Sequence, residues 1–366
     1  MENMVKIMKL KDSYSGKRVL VTGHTGFKGS WLIKILSDWG ADIRGYALAP
    51  ESKINLYSEI NGDNLCQSVL SDIRDKDSLK KTVLDFQPEF IFHLAAQPLV
   101  RMSYEIPSET FEINAIGTAN LLDSVRLLEN KCNVIIITTD KVYHNFEWVY
   151  PYRENDKLGG CDPYSASKAC CELVIDSYKN SFFNSTDYYK HKKAITVGRA
   201  GNVIGGGDWS IDRLIPDIAR CLSNGETICI RNPKSVRPWQ HVIEPLFGYL
   251  ELGEKLNSDP SKYAQAFNFG PNISDTLSVE EVVNKSIEYW GIGKYKSVFD
   301  SSNLHEAGIL KLDISKAVNN LNWKPKFNSN VAIERTINWY KSFYNGLKAS
   351  ELMKLDIEYY QSIKDE

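Results

Sequence analysis

Long uncharged apolar runs are missing from this sequence. Among its 366 residues, no such run approaches the roughly 18–20 residues that a membrane-spanning helix requires. The first residues, MENMVKIMKLKDSYSGKRVL, contain no apolar segment of the kind found in a signal peptide. Neither sign of charge is in excess, because 44 Lys and Arg balance 46 Asp and Glu to a net charge of −2. We therefore expect a cytoplasmic protein that neither crosses a membrane nor binds nucleic acid or a membrane surface.

Cysteine and histidine patterns typical of disulfide scaffolds and metal sites are missing too. The chain has seven Cys and six His, but no two Cys show the C-x-x-C spacing and no His accompanies a Cys at ligand spacing. An odd number of Cys spread over apparent helices and strands is typical of free thiols in a reducing compartment. The sequence therefore predicts neither a disulfide framework nor a metal site.

What the sequence does contain is a regular alternation of strand-like and helix-like segments in its first half. The apolar runs RVLVTG, FIFHLAA and NVIIITTD are separated by segments with helical spacing, such as SWLIKILSDWG. Strands buried on both faces and separated by helices indicate a doubly wound parallel α/β sheet, the Rossmann fold. Because such sheets bind ligands at the carboxyl ends of their strands, we expect functional residues where each apolar run ends.

A glycine-rich loop joins the first expected strand to the first helix. The segment VTGHTGFKGS has a G-x-x-G-x-x-G pattern, whose glycines allow a tight turn and close backbone approach to a pyrophosphate. The alternative is a turn with coincidental glycines, but the flanking strand and helix favour a dinucleotide site. The residues of this loop expected at the cofactor are Gly23, Thr25, Gly26, Phe27, Lys28 and Gly29.

The adenosine end of that site is less well defined. Asp72, in LSDIRD, follows the third expected strand, and its carboxylate either accepts a bond from an adenine amino group or caps the next helix. A ribose-binding acid is expected about 20 residues after the last glycine, but YALAPES offers only Ala47 and Ala49 there. The sequence therefore gives little support for NAD over NADP, and Arg44 and Lys28 are possible contacts of a phosphate.

A tyrosine and a lysine four residues apart point to redox chemistry on a hydroxyl group. Tyr164 and Lys168, in YSASK, lie on one face of a helix. A phenol with an ordinary pKa near 10 is a poor base at neutral pH, and a neighbouring Lys⁺ lowers that pKa. Thr139, in NVIIITTD, adds a hydroxyl beside the Tyr. Asn114 either holds a water or the backbone near Lys168, or is an ordinary helix residue.

Taken together, the motifs resemble the extended short-chain dehydrogenases/reductases that act on nucleotide sugars. TGHTGFKG, DIRD, HLAAQ, NAIGT, TTDK, YSASK, RAGNVIGGGD, RPWQHV and LDISKAVNNLNWKP follow the order of that family across residues 17–325. The resemblance implies NAD as cofactor, a two-lobed fold, and a homodimer that pairs through helices of the first lobe. Within the family, the segments around TDKVY, GNVIGGGDW and SVRPWQHV look most similar to 4,6-dehydratases, with CDP-glucose as the implied substrate. No residue separates cytosine from other bases on physical grounds.

The pattern and the resemblance also predict how the chain divides. Residues 17–200 would form the NAD-binding Rossmann domain, to which a later segment around 238–268 returns. Residues 201–346 would form most of a smaller α/β lobe that binds the nucleotide sugar. Residues 347–366 would form a peripheral C-terminal tail.

A second proton-handling pair follows directly after Thr139. In the dehydration that the resemblance implies, Asp140 would be the acid that protonates the departing C6 hydroxyl, and Lys141 the base that takes the C5 proton. Relatives that act on dTDP-glucose carry Glu where this chain has Lys141, and a Lys must be neutral to act as a base. The alternative is a salt-bridged Asp–Lys pair at a strand end, as in an epimerase, which needs only the first set. A catalytically dead NAD-binding regulator would need neither set.

The remaining expected site residues follow from the same resemblance. Those placed near the cofactor are Asp72, Ile73, Leu94, Ala95, Ala96 and Asn114, together with Tyr164 and Lys168. Those placed near the substrate are Gln97, Arg101, Asn202, Arg213, Arg237, Trp239 and His241. Guanidinium groups match phosphate oxygens, although the alternative for each Arg is a surface salt bridge. Trp239 and His241 either abut the base or pack the two lobes together.

Overall fold

Parallel strands form the centre of the protein. A computed structural model describes residues 2–50, 52–298 and 309–364. Within these residues, seven strands make one sheet in the order β11-β6-β5-β4-β1-β2-β3, and every neighbouring pair is parallel. The strands are β1 Arg18–Thr22, β2 Asp42–Ala47, β3 Gln67–Leu70, β4 Phe90–His93, β5 Cys132–Thr139, β6 Lys193–Ala200, β7 Val203–Ile204, β8 Ile228–Ile230, β9 Val236–Arg237, β10 Gln240–His241, β11 Ala266–Phe269, β12 Leu277–Ser278 and β13 Tyr295–Ser297.

Helices cover both faces of this sheet, as the sequence predicts for a doubly wound fold. They are α1 Glu2–Tyr14, α2 Phe27–Asp38, α3 Leu56–Glu59, α4 Lys76–Phe86, α5 Val100–Glu105, α6 Pro107–Phe111, α7 Gly117–Arg126, α8 Pro163–Ser181, α9 Tyr188–His191, α10 Leu214–Asn224, α11 Ile243–Ser258, α12 Pro260–Tyr263, α13 Val279–Trp290, α14 Ser315–Leu321, α15 Ser329–Tyr344 and α16 Ala349–Ser362. A π-helical turn, Glu112–Ile116, precedes α7, and a 3₁₀ turn, Asp140–Val142, follows β5. No helix in the described part of the chain is long and apolar enough to cross a bilayer.

The central strand β5 explains why the first half of the sequence reads as continuous apolar runs. All eight of its residues are buried, and alternate side chains enter two different cores. Ile135 and Ile137 belong to the core shared with α2 and α11, whereas Val134 and Ile136 belong to the core shared with α4, α7 and α8. A strand covered in this way has no polar face to present to solvent.

The chain returns to the sheet after the second lobe has begun. Helix α11 packs on β5 and β6, and β11 then adds to the edge of the sheet beside β6. Between these returns, the short pairs β7–β10, β8–β13 and β9–β12 form a smaller region over the carboxyl edge of the sheet. The exact division into lobes at residues 200 and 346 stays a prediction.

The C-terminal segment is better packed than the expected peripheral tail. Helix α16 buries Met353 and Tyr360 in the same core as α11. The N-terminal helix likewise buries Tyr14, whose hydroxyl donates to the Leu250 carbonyl at 2.7 Å. The last twenty residues look polar because α16 has only one apolar stripe, and the sequence alone does not show which surface that stripe covers.

An acidic side chain lies fully buried beneath α16. Glu244 of α11 accepts hydrogen bonds from the backbone N–H groups of Lys326 and Phe327 at 2.8 and 2.6 Å, and the Tyr360 hydroxyl donates to its other oxygen at 3.3 Å. Burial nevertheless dominates and raises the pKa of Glu244 from 4.5 to about 8. The folded state therefore favours the neutral carboxyl.

This burial predicts how stability changes with pH. A raised folded-state pKa contributes stability that is fully present below about 4.5 and is lost as the pH rises towards about 8. In chemical denaturation at a series of pH values, Glu244→Gln should therefore gain free energy of unfolding relative to the wild type across that window. Glu288→Gln, on the exposed face of α13, is the matched control and should show no such trend. A pH-independent difference for Glu244→Gln would contradict the assignment.

Candidate active site

The carboxyl ends of the strands meet in one large cavity of about 810 Å³. Its wall includes the residues that follow four neighbouring strands: Gly23 after β1, Leu94 after β4, Asp140 after β5 and Gly201 after β6. Loops of the smaller region, including residues 208–217 and 228–232, close the other side. The position matches the crevice in which doubly wound sheets bind ligands.

The glycine loop forms one end of this cavity and has no room for side chains. A Cβ on Gly29 would lie 2.0 Å from the Gly23 carbonyl oxygen, and one on Gly23 would lie 2.8 Å from the Ala95 nitrogen. Gly23 also has a φ of +75°, which favours glycine. Gly26 caps α2 without a side-chain hydrogen bond, so the first N–H groups of the helix remain available. These features fit a dinucleotide pyrophosphate.

Asp72 lies on the cavity wall but does not cap a helix. The cap of α4 is Asp75, whose carboxylate accepts from the Ser78 N–H at 3.0 Å. The Asp72 carboxylate instead binds the Arg74 guanidinium at 2.6 to 3.0 Å, and Arg74 also binds Glu109 at 2.8 Å. The capping alternative for Asp72 is therefore wrong. Of the two possible phosphate contacts, Arg44 donates to Gln67 at 2.8 Å and is not among the residues that line the cavity, whereas Lys28 lines it.

Asn114 joins the cofactor side of the cavity to the catalytic helix. Its oxygen accepts from the Gln97 N–H at 2.9 Å, while its amide donates to the Gln97 carbonyl at 3.2 Å and to the Ser167 hydroxyl at 2.8 Å. Asn114 thus joins the Gln97 backbone to the side chain of Ser167, the residue before Lys168, but it is not among the residues that line the cavity, and its contact with the cofactor stays a prediction. Leu94, Ala95 and Ala96 lie on the cavity wall, as does Ile73.

Tyr164, Lys168 and Thr139 come together at the end of β5. The Lys168 ammonium donates to the Ile137 carbonyl at 3.1 Å, and burial lowers the Lys168 pKa. Burial raises the pKa of Tyr164 to about 12, although a hydrogen bond with Thr139 and the charge of Arg213 oppose that shift. The expected lowering of the Tyr164 pKa does not occur in the protein alone, because loss of hydration outweighs the nearby positive charge.

Asp140 and Lys141 differ sharply in exposure. Asp140 is 1% exposed, and one of its oxygens accepts from the Thr139 hydroxyl at 2.9 Å while the other has no hydrogen-bond partner. Burial raises the pKa of Asp140 despite Lys141, Arg237 and Lys28 nearby. Lys141 is half-buried on the cavity wall, and the two side chains do not form a salt bridge among the described ion pairs. The salt-bridge alternative is not what the structure shows.

Lys28 is more central than the glycine motif suggests. Its ammonium lies 6.0 Å from the centre of the Tyr249 ring. Burial, followed by the charges of Arg213 and Lys168, lowers its pKa to about 7. The loop lysine therefore belongs to the same group of charges as the residues at the end of β5.

Of the seven residues expected near the substrate, five line the cavity, Gln97 lines it but is bonded within the protein, and His241 lies outside it. Arg101, Asn202, Arg213, Arg237 and Trp239 line the cavity, and Arg213 binds the buried Asp208 at 2.9 Å. Gln97 also lies on the wall, but its side chain is used internally, donating to the Thr110 hydroxyl at 3.1 Å and accepting from the Leu99 N–H at 2.6 Å.

His241 is not part of this site. It is fully buried outside the cavity, with its ring against Trp31 and Phe327 and its Nε2 3.8 Å from Asp356. Placing it near the substrate was wrong: of the two expected alternatives the structure shows the packing role, because the ring is enclosed by Trp31 and Phe327 and is absent from the cavity wall. Its neighbour in sequence, Gln240, donates to the Phe269 carbonyl at 3.0 Å.

Sequence reasoning missed some residues of the site. Asp208, which neutralises part of the Arg213 charge, was not among the residues predicted for the site. Tyr143 lies on the cavity wall, and its hydroxyl receives a hydrogen bond from Arg199 at 2.8 Å. The segment ICI forms strand β8 on the cavity wall, and this short apolar run was only a weak signal of a strand.

Comparisons with known proteins agree with this arrangement. A sequence model of the family described as GDP-mannose 4,6 dehydratase matches residues 20–336. A CDP-glucose 4,6-dehydratase from Salmonella typhimurium is 46% identical over 352 residues, covering 96% of this chain and 98% of that protein. This similarity extends over both lobes.

Two solved structures share the fold. One is DesIV, a dTDP-glucose 4,6-dehydratase from Streptomyces venezuelae, at 22% identity and a TM-score of 0.76 over 91% of this chain and 99% of that chain. The other is a UDP-glucose 4-epimerase from Thermotoga maritima, at 21% identity and a TM-score of 0.75 over 89% and 99%. With the family match spanning most of its length, the chain belongs to the GDP-mannose 4,6-dehydratase family of nucleotide-sugar short-chain dehydrogenases/reductases.

Proposed function

We propose that this protein converts CDP-glucose to CDP-4-dehydro-6-deoxyglucose, an NAD-dependent 4,6-dehydration. The observation that carries the proposal is the presence of two separate proton-handling sets in one cavity, Tyr164 with Lys168 and Asp140 with Lys141. The relative with 46% identity is named for this reaction. The seven cysteines of the present chain are all free, which favours the reducing cytoplasm as its compartment.

The glycine loop supports NAD as the cofactor. Its turn is too closely packed for a Cβ at Gly23 or Gly29, as in glycine loops that bind a pyrophosphate, and DesIV was solved with NAD bound. When bound, NAD accepts hydride from C4 of the sugar and returns it to C6, so no external reductant is needed. Arg44, a possible contact of an additional phosphate, is not among the residues that line the cavity, which favours NAD over NADP.

The first set handles the C4 hydroxyl. Tyr164 takes the hydroxyl proton, and the Thr139 hydroxyl holds the same sugar oxygen. Because burial raises the Tyr164 pKa to about 12, the phenolate needs positive charge close by. Lys168 supplies one such charge, and the oxidised nicotinamide supplies another.

The second set removes water across C5 and C6. The ketone at C4 acidifies the C5 hydrogen, and Lys141 takes that proton. The C6–O bond breaks as Asp140 donates its proton to the departing hydroxyl, so that one water leaves and a C5–C6 double bond remains. When hydride returns to C6, Lys141 gives a proton back to C5, which restores the single bond. Burial raises the Asp140 pKa, which favours the protonated form that a proton donor needs.

The positive wall of the smaller region supports a nucleoside diphosphate. Arg213 and Arg237 present guanidinium groups, and Asn202 adds an amide beside them. Planar guanidinium donors match phosphate oxygens well. The preference for cytosine is proposed from the relative alone.

The reaction itself is tested by supplying NAD with CDP-, dTDP-, UDP- and GDP-glucose separately in deuterated water. We expect a 4-keto-6-deoxy product carrying deuterium at C5 from the CDP sugar, as read by NMR and mass spectrometry. The same product from a different nucleotide would correct the substrate and keep the reaction. A galactose epimer without deuterium would instead identify a 4-epimerase and overturn the dehydration.

The two sets should separate when one member of each is changed. General acid catalysis typically contributes about 10²- to 10⁴-fold, so Asp140→Asn should slow turnover by that range. Because C4 oxidation remains possible, reduced nicotinamide should accumulate, and its absorbance should rise during the reaction. Tyr164→Phe, which stops oxidation, should lose turnover without that build-up while still binding NAD. Equal loss of oxidation in both variants would show that the sets do not divide the work in this way.

The proposal includes the association of two copies of this chain into a homodimer. Ile116, in the π-helical turn, and Leu173, on the adjacent helix α8, are 54% and 61% exposed. Apolar side chains at such exposure on neighbouring helices of the first lobe favour burial against a second copy.

Sedimentation velocity tests this interface directly. The wild type should sediment as a dimer, whereas Leu173→Glu should shift it towards a monomer, because a charge cannot be buried there without a partner. Leu355→Glu, at a site 54% exposed on α16, is the control and should stay dimeric. A monomeric wild type would refute the dimer.

A further inference from the structure

One buried ion pair holds both ends of the segment that carries Asp140 and Lys141. On the near side, the Thr138 hydroxyl donates to a Glu172 oxygen at 2.7 Å. On the far side, the Tyr143 hydroxyl receives a hydrogen bond from Arg199 at 2.8 Å. The acid and the base therefore lie between two hydrogen bonds to the same pair.

The pair itself is rigid and enclosed. Arg199 Nε donates to Glu172 at 2.8 Å, a second guanidinium nitrogen binds the other carboxylate oxygen, and both side chains are 4% exposed. A third nitrogen donates to the Glu154 carbonyl at 2.9 Å. Two contacts between planar groups fix orientation as well as distance.

Tyr143 is held from more than one direction. Its hydroxyl donates to Asn268 Oδ1 at 2.7 Å, and the Arg199 guanidinium lies 4.9 Å from its ring centre. Tyr152 stacks on the other side, with ring centres 5.2 Å apart and planes at 15°. The residue that ends the catalytic turn is thus anchored to β6, β11 and the following loop.

Stability alone is a poor explanation for such a pair. Removing two charges from water is expensive, and buried ion pairs often contribute little net stability compared with apolar side chains. Glu172 also lies four residues after Lys168 on α8, so the pair connects the two proton-handling sets through one helix.

We infer that the Glu172–Arg199 pair is a positioning element that sets the geometry of water elimination by holding Asp140 and Lys141. The inference rests on the proposed dehydration. Tyr164 and Lys168 have other anchors, since the Tyr164 N–H donates to the Ser103 hydroxyl at 3.1 Å and Lys168 donates to Ile137. Loosening the pair at Tyr143 should therefore impair elimination more than C4 oxidation.

The test is Tyr143→Phe, which removes one hydroxyl and keeps the stacked ring. Misplacing a general acid and base without removing them should reduce turnover on CDP-glucose by about tenfold or more, and by no more than the roughly 10²- to 10⁴-fold that such groups contribute. Reduced nicotinamide should accumulate during turnover, and deuterium incorporation at C5 should slow by the same factor. The melting temperature and the KM should change little.

Tyr152→Phe is the matched control. Tyr152 is an equally buried partner of the same stack, but its hydroxyl bonds to Asn145 at 3.0 Å and to the Phe146 N–H at 2.7 Å instead of to the ion pair. It should show wild-type partition between oxidation and elimination. If Tyr143→Phe does not fold, Thr138→Val breaks the other end of the same arrangement and should give the same accumulation.

The outcomes separate the inference from the proposed function. If the wild type forms the 4-keto-6-deoxy product and Tyr143→Phe slows oxidation and elimination equally, or slows neither, the positioning role is wrong and the dehydration stands. If Tyr152→Phe accumulates reduced nicotinamide as Tyr143→Phe does, the effect belongs to the loop and not to the pair, and the inference fails. If the wild type forms no such product, the proposed function fails first.

Discussion

Burial of β5 along its whole length is the constraint on which the site depends. Helices cover both faces of the strand, so Thr139 and Asp140 are delivered into apolar surroundings. Loss of hydration there disfavours charge, which raises the pKa of Asp140 and of Tyr164. The two shifts have opposite effects in the proposed reaction. A raised carboxyl pKa favours the protonated form that a proton donor needs. A raised phenol pKa makes Tyr164 a poorer source of phenolate, so that it requires added positive charge nearby.

Positive charge is concentrated at the end of β5, and the surroundings there disfavour the charged forms of the lysines that carry it. Lys28 and Lys168 both have lowered pKa values, because they are buried and because Lys28 faces two other cations. Asp208 relieves part of the repulsion by binding Arg213. An anionic diphosphate bound between these cations would relieve more, so the cavity is electrostatically incomplete without its ligand. In this way substrate binding would also stabilise the charges that Tyr164 needs.

The parallel sheet and the strand-end position of the site were predictable, because buried parallel strands leave an unbroken apolar pattern. Side-chain direction was not: Trp239 lines the cavity, whereas His241 two residues later packs into the core. The cap of α4 could not be chosen from the sequence, because Asp72 and Asp75 both precede the helix and only the turn geometry selects Asp75. The covering surface of α16 depends on contacts with α11 and α15, which are distant in sequence and have no local signature.

The fold does not distinguish a dehydratase from an epimerase, since the two solved relatives have nearly the same similarity and different activities. The distinction lies in the chemistry at the end of β5. An epimerase needs a group that exchanges one proton with the C4 oxygen, and Tyr164 with Thr139 would suffice. A buried carboxyl with one unpartnered oxygen is costly for a fold to keep. Asp140 lies beside Lys141 with no salt bridge to repay that cost, and both ends of its segment are anchored. The proposed role of Asp140 as proton donor to a leaving hydroxyl would account for these features, which an exchange of one proton at the C4 oxygen does not require.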